Sequence, residues 1–128
     1  MNENEKTPPP VMAPTKNLTF GTALNALKDG KMVSREGWNG KGLFVFMQIP
    51  AKIDMAIVPK MQSLPQSVKN EFDKRFNATA TQANDIDPIY FNSITYNNQL
   101  ALVSPFNEIS GWSPSTTDAL SEDWTILN

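Results

Sequence analysis

The sequence predicts an α+β fold, a small antiparallel sheet built from hairpins with two to three short helices, in a protein that is oligomeric. Three observations predict this class. Asn39-Gly40 lies between two apolar-rich runs, and Asn-Gly in that context is the strongest short-range signal for a β-hairpin. Apolar residues recur at helical spacing from Phe20 to Leu27. Between residues 94 and 112, short β-type segments alternate with turn residues.

The 128-residue length indicates one domain with a modest core. Residues 1–16 are proline-rich and otherwise polar, and such a segment has too little apolar surface to order itself. We therefore expect a disordered leader over 1–16 and a single ligand-binding domain over 17–128. A helical segment at about 50–92 is expected as an insertion within that domain.

The first helix is expected over about 19–29. Thr19 is a suitable N-cap, apolar residues follow it at i, i+3, i+4 and i+7, and Gly30 ends the pattern as a C′ glycine. This short amphipathic helix would cover one face of a sheet.

The hairpin around Asn39-Gly40 is expected to have a two-residue turn. That register pairs Trp38 with Lys41 and Ser34 with Val45. Both faces of the hairpin then carry large apolar side chains, which are unfavourable in water. The helix can cover one face, and a second copy of the chain is the economical cover for the other.

The remaining elements follow from local patterns. Ser63 and Gln66 form a capping-box pattern before a second helix over about 64–77, in which Glu71 and Arg75 make a favourable i, i+4 pair. Residues 94–112 are expected to form a three-stranded meander. A short helix within 115–122, capped by Ser115 or Thr117, precedes an edge strand over 124–127.

Composition excludes several classes of function. The chain has no His and no Cys, which removes the commonest general base and every thiolate ligand or nucleophile. A net charge of −2 argues against a general nucleic-acid or membrane-surface binder. Asp85 and Asp87 are interpreted as a solvated loop rather than a metal site. We expect a cytoplasmic protein that is not an enzyme and has no metal or cofactor.

The remaining chemistry favours binding of a small polar ligand with aromatic rings. Tryptophan side chains can stack on a base, short polar side chains can bond hydroxyls and base edges, and two cations add local positive charge. The residues chosen on these grounds are Trp38, Trp112, Asn39, Ser115, Thr117, Asp118, Arg35 and Lys41. Each also has a structural interpretation: the tryptophans as core, Ser115 and Thr117 as helix caps, and Asp118 as a partner of the helix dipole.

At this point the chain resembles the Thoeris anti-defense 2 family of phage and prophage proteins. The resemblance rests on Thr19–Lys31, on Val33–Gly42 with its Gly-Trp-Asn-Gly turn, on Gly111-Trp112 and on Ser115–Trp124. It covers about residues 18–49 and 94–127. Residues 50–92 form a longer segment than in compact members, and the proline-rich leader is extra.

The resemblance implies a non-enzymatic sponge that captures a cyclic nucleotide immune signal and blocks bacterial anti-phage defence in the host cytoplasm during infection. The implied signal is of the glycocyclic ADP-ribose type, and some relatives are understood to hold cyclic dinucleotides at separate sites. A homotetramer with pockets between protomers is also implied. Position by position, the pocket residues would include Phe44 as well as Trp38, Asn39, Ser115, Thr117 and Asp118.

Two other functions remain open at this stage. One is a structural or interaction protein of a phage, in which the aromatic residues form an oligomer interface. The other is a hydrolase that acts on the same nucleotide.

Overall fold

The computed structural model describes residues 14–38, 41–81 and 92–127, with backbone alone for 79–81. These residues form three α-helices, a five-stranded antiparallel sheet and a two-stranded sheet, which confirms the α+β class. The elements in chain order are α1 (Phe20–Lys28), β1 (Met32–Arg35), β2 (Phe44–Gln48), β3 (Ala51–Asp54), α2 (Gln66–Thr81), β4 (Ser93–Tyr96), β5 (Gln99–Val103), β6 (Ile109–Gly111), α3 (Thr116–Leu120) and β7 (Trp124–Leu127).

The described residues fall into two compact units. One contains residues 14–38, 41–47 and 99–127, and the other contains residues 48–81 and 92–98. The predicted leader lies mostly outside the described residues, which begin at residue 14. In the first unit, the carbonyl of Thr15 accepts a 2.8 Å bond from the amide of Ile126, so the chain before α1 runs beside β7.

The larger sheet has the strand order β6-β5-β2-β1-β7, so β7 is an edge strand as the sequence predicted. The predicted hairpin register is wrong, because Val33 rather than Ser34 lies opposite Val45. The two-residue hairpin loop is wrong as well, because β1 ends at Arg35, Glu36–Trp38 form a 3₁₀ turn and β2 begins only at Phe44. The amide of Glu36 still bonds the carbonyl of Asp123, in register with the β1–β7 pairing, but the amide of Gly37 bonds the Asp123 carboxylate instead of β2.

Helix α1 forms where the sequence placed it. The hydroxyl of Thr19 accepts a bond from the amide of Thr22, and Gly30 has φ +87°, a conformation that L side chains rarely adopt. Its buried residues Ala23 and Leu27 pack with Val33, Val45 and Trp124, all fully buried. This cluster is the core of the first unit.

The register divides the larger sheet into two faces. Val33 and Val45 face α1, so the neighbouring Ser34 and Phe44 lie on the opposite face, as successive strand residues do. Leu127 is opposite Met32 and shares that second face. Phe44 is only half-buried there.

The unit of residues 48–98 departs from the predicted meander. β5 and β6 pair as expected, but β4 pairs with β3 in a separate sheet, with Ile53 opposite Ile94. Helix α2 begins at Gln66, and the amides of Val68 and Lys69 bond the carbonyl of Pro65, so Ser63 is not its N-cap. No helix among residues 14–38, 41–81 and 92–127 has the length and apolarity that a membrane crossing requires.

Val45→Ala tests the core position that this register assigns. Removing two buried methyl groups should lower the free energy of unfolding by about 2–3 kcal/mol in urea denaturation. Leu120→Ala is the control, since Leu120 is 76 % exposed and its truncation should change stability by less than about 0.5 kcal/mol. Equal effects of the two substitutions would contradict the buried core position of Val45.

Candidate functional site

A cavity of about 240 Å³ opens on the second face of the larger sheet, and we call it the Trp38 cavity. Four of the nine residues singled out from the sequence line it: Arg35, Trp38, Lys41 and Phe44. The other lining residues are Ser34, Gly42, Leu43 and Leu127. Asn39 lies outside the described residues.

The 3₁₀ turn at Glu36–Trp38 sets the position of one wall of the cavity. The amide of Lys41 donates a 3.3 Å bond to the carbonyl of Trp38, which folds the chain back after the turn. Gly42 has φ +75°, so a side chain at this position would strain the backbone. The aromatic ring of Trp38, the exposed Lys41 and the Gly42 backbone therefore lie within one short segment.

Arg35 is held by two carboxylates, and we call Arg35, Asp118 and Asp123 the Arg35 cluster. Its Nη1 donates to Asp118 Oδ1 at 2.8 Å, and its Nε donates to Asp123 Oδ1 at 2.9 Å. The Arg35 and Asp118 side chains are each 13 % exposed, which makes this a largely desolvated ion pair. One cation against two anions leaves the cluster with a net negative charge, so Arg35 adds no uncompensated positive charge to the cavity.

Hydrogen bonds to the side chains of the cluster shift all three pKa values towards the charged forms. Hydrogen bonds from Arg35 lower the pKa of Asp123 more than burial raises it. Burial raises the pKa of Asp118, but bonds from the Ser115 amide and from Arg35 outweigh it and leave that pKa lowered. The bond to Asp123 raises the pKa of Arg35 against the opposing effect of burial. All three groups are therefore charged at neutral pH.

Trp112 belongs to an aromatic cluster beneath the cavity rather than to its lining. Its ring centroid is 6.4 Å from that of Trp38, at an interplanar angle of 82°. Trp124 is fully buried among Phe20, Trp38 and Trp112, with centroid distances of 5.3, 5.5 and 6.1 Å. Within this chain, then, Trp38 and Trp112 meet edge to face and do not form a parallel sandwich.

The three candidates near α3 have structural partners. The hydroxyl of Ser115 accepts from the amide of Asp118, and the Asp118 carboxylate accepts from the amide of Ser115, each at 3.0 Å, which is a reciprocal capping box. Thr117 is exposed, and its carbonyl accepts a 2.6 Å bond from Ser121. Asp118 is joined to the cavity through Arg35.

Sequence reasoning missed the role of Asp123, whose carboxylate bonds both Arg35 and the amide of Gly37. No local sequence signal marks this role, because it depends on the pairing of β1 with β7, which places Arg35 opposite Trp124, the residue after Asp123. Among the residues that the structure describes, no group of three or more acidic side chains could hold a metal ion. Asp85 and Asp87 lie outside those residues.

Comparison with known proteins places this chain in a family. Residues 18–127 match the Thoeris anti-defense 2-like domain. A Bacillus phage SP01 protein named Thoeris anti-defense 2 is 30 % identical over 111 residues, which cover 87 % of this chain and 96 % of that protein.

The chain belongs to the Thoeris anti-defense 2-like family. This confirms the resemblance seen in the sequence and supports an anti-defence role. The match runs through β1, the 3₁₀ turn, α3 and β7, so the Trp38 cavity and the Arg35 cluster both lie inside the family domain. The family is not a known enzyme family.

Arg35→Met tests the electrostatics of the cluster. At pH 7 it should lower the free energy of unfolding by about 2 kcal/mol, because two partly buried carboxylates lose their cation. In the wild type, the carboxylates contribute fully above the unfolded-state pKa of about 3.9. That contribution is lost as the pH falls through the lowered folded-state values. The free energies of unfolding of the wild type and of Arg35→Met should therefore come closer together below about pH 4.

Arg75→Met is the control for this substitution. Arg75 pairs with Glu71 at 3.0 Å, but the two side chains are 64 % and 49 % exposed, and such a surface pair contributes about 0–1 kcal/mol. Urea denaturation across pH 3–7 measures both variants. If the difference in unfolding free energy between the wild type and Arg35→Met does not change with pH, the ion pair of Arg35 with the two carboxylates is not its source.

Proposed function

We propose that this protein sequesters a cyclic nucleotide immune signal of the glycocyclic ADP-ribose type, holds it without chemical change and so blocks bacterial anti-phage defence. The observation that carries the proposal is the composition of the Trp38 cavity. An indole, a phenyl ring, an exposed lysine and glycine backbone line one opening. Family membership supports the anti-defence role within which this binding would act.

Each part of the cavity suits one part of such a ligand. Trp38 and Phe44 offer ring faces and edges for a base, and base–aromatic stacking is worth about 1–3 kcal/mol. Lys41 offers charge to a diphosphate. The Arg35 cluster is net negative and repels phosphate, so we infer that the phosphates lie towards Lys41 and Gly42. Ribose hydroxyls would then face Ser34.

The size of the cavity favours a site completed by a second protomer. About 240 Å³ is below the range of about 300–1,000 Å³ in which small-molecule pockets usually fall. A sponge also needs a dissociation constant of about 1 nM, or about −12 kcal/mol, to compete with a receptor. An open half-site gives too little burial for that affinity. We therefore propose a homo-oligomer, a tetramer as the resemblance implies, in which a second copy closes the cavity.

The rival function is an interaction protein whose aromatic residues form an oligomer interface. The half-buried Phe44 on the second face of the sheet is the observation that favours it. Both the sequestering protein and the interaction protein are expected to self-associate, but only the sequestering protein should bind a nucleotide. A hydrolase, the third possibility, would convert the nucleotide to a product instead of returning it unchanged.

Titration calorimetry with glycocyclic ADP-ribose, followed by denaturation and chromatography, tests the proposal. We expect a dissociation constant of about 1 nM and recovery of the ligand unchanged. Light scattering should give a mass at least twice the 14.2 kDa of one chain. An oligomer that binds neither glycocyclic ADP-ribose nor a cyclic dinucleotide would support the interaction protein. A monomer with nanomolar affinity would contradict the shared site, and a changed ligand would indicate an enzyme.

Lys41→Gln tests the orientation of the ligand. Lys41 is exposed and lines the cavity, so its replacement should weaken binding of glycocyclic ADP-ribose at least tenfold, about 1.4 kcal/mol, through loss of a charged contact. Lys31→Gln is the control, because Lys31 is also exposed but does not line the cavity. Equal affinities of the two variants would contradict the placement of the phosphates.

A further inference from the structure

Asp123 makes two bonds to the start of the 3₁₀ turn that carries Trp38. Its main-chain carbonyl accepts the amide of Glu36 at 3.0 Å, and its carboxylate Oδ2 accepts the amide of Gly37 at 2.9 Å. The first amides of a helical turn have no partner within the turn, so an external acceptor is what fixes its position. Asp123 supplies two such acceptors, its main-chain carbonyl and its carboxylate.

The same carboxylate is itself fixed. Arg35 donates to its Oδ1 from Nε at 2.9 Å and to its Oδ2 from Nη2 at 3.3 Å, a bidentate pair with defined geometry. A Cβ at Gly37 would lie 3.0 Å from both Arg35 Nη2 and Asp123 Oδ2. The absence of a side chain at Gly37 is therefore what lets the amide approach the ion pair.

Asp123 does not line the Trp38 cavity, whereas Trp38 and Lys41 do. We propose that Asp123 is the positioning residue of this cavity: its carboxylate and carbonyl hold the Glu36–Trp38 turn so that the indole and the lysine face the ligand. The role in binding rests on the proposed function. The role in fixing the turn does not.

Asp118 provides a matched comparison, because it bonds the same arginine but from another side. Its Oδ1 accepts Nη1 of Arg35, and its Oδ2 accepts the amide of Ser115, so it ties Arg35 to α3 rather than to the turn. Asp118→Asn and Asp123→Asn each remove one negative charge beside Arg35. Only Asp123→Asn also weakens the acceptor of the Gly37 amide, since a neutral amide oxygen accepts less strongly than a carboxylate.

The experiment compares these two variants by calorimetry with glycocyclic ADP-ribose and by fluorine NMR of protein labelled with 5-fluorotryptophan. The resonance of Trp38 is assigned by its absence in Trp38→Phe, and circular dichroism confirms that each variant is folded at the temperature used. We expect Asp123→Asn to weaken binding at least tenfold and to shift or broaden the Trp38 resonance in the ligand-free protein. Asp118→Asn should weaken binding less than Asp123→Asn does and leave that resonance in place.

The outcomes separate this proposal from the proposed function. If the wild type binds no nucleotide, the proposed function fails, while the Trp38 resonance still reports whether Asp123 holds the turn. An unchanged Trp38 resonance in Asp123→Asn, or equal losses of affinity in the two variants, would overturn the positioning role. A variant that is unfolded by circular dichroism is replaced by Gly37→Ala, which strains the same contact and should move the same resonance.

Discussion

The contact on which the rest of the first unit depends is the ion pair of Arg35 with Asp118 and Asp123. It joins three segments that are far apart in the chain: the end of β1, the first turn of α3 and the residue before β7. The Arg35 side chain is 13 % exposed and has lost most of its contact with water, so its charge is stable only with its carboxylates in place. The pair therefore fixes the end of β1, and through Asp123 it fixes the turn that follows.

The aromatic cluster beneath this pair explains how Trp38 can serve two purposes. Trp124 is buried at the centre of the cluster, and its indole N–H donates a 2.9 Å bond to the carbonyl of Asp118. Trp38 rests edge to face on Trp124 and also lines the cavity, so one side of the indole belongs to the core and another remains available. A ring held in this way loses little conformational entropy on binding, which favours affinity.

The sequence predicts the local features of this molecule well and the long-range ones poorly. Helix α1, its Thr19 cap and Gly30 follow from spacing alone, as does the start of α3 at Ser115. The register of β1 with β2 could not be predicted from the Asn-Gly signal, because the amide of Gly37 bonds a carboxylate 86 positions away. The partner of β4 was missed for a similar reason: β-patterning indicates strands but does not choose between two available neighbours.

The sequence likewise predicted only some of the candidate site residues as members of one cavity. Arg35, Trp38, Lys41 and Phe44 share one cavity, whereas Trp112 is partly buried against the core and Ser115 and Asp118 cap a helix. Hydrogen exchange of the free and nucleotide-bound protein tests most directly whether this cavity holds the ligand. With saturating glycocyclic ADP-ribose, amides at 41–44 should exchange more slowly, while those of α2 should keep their free rates. Slowing confined to residues 66–78, with none at 41–44, would contradict the account.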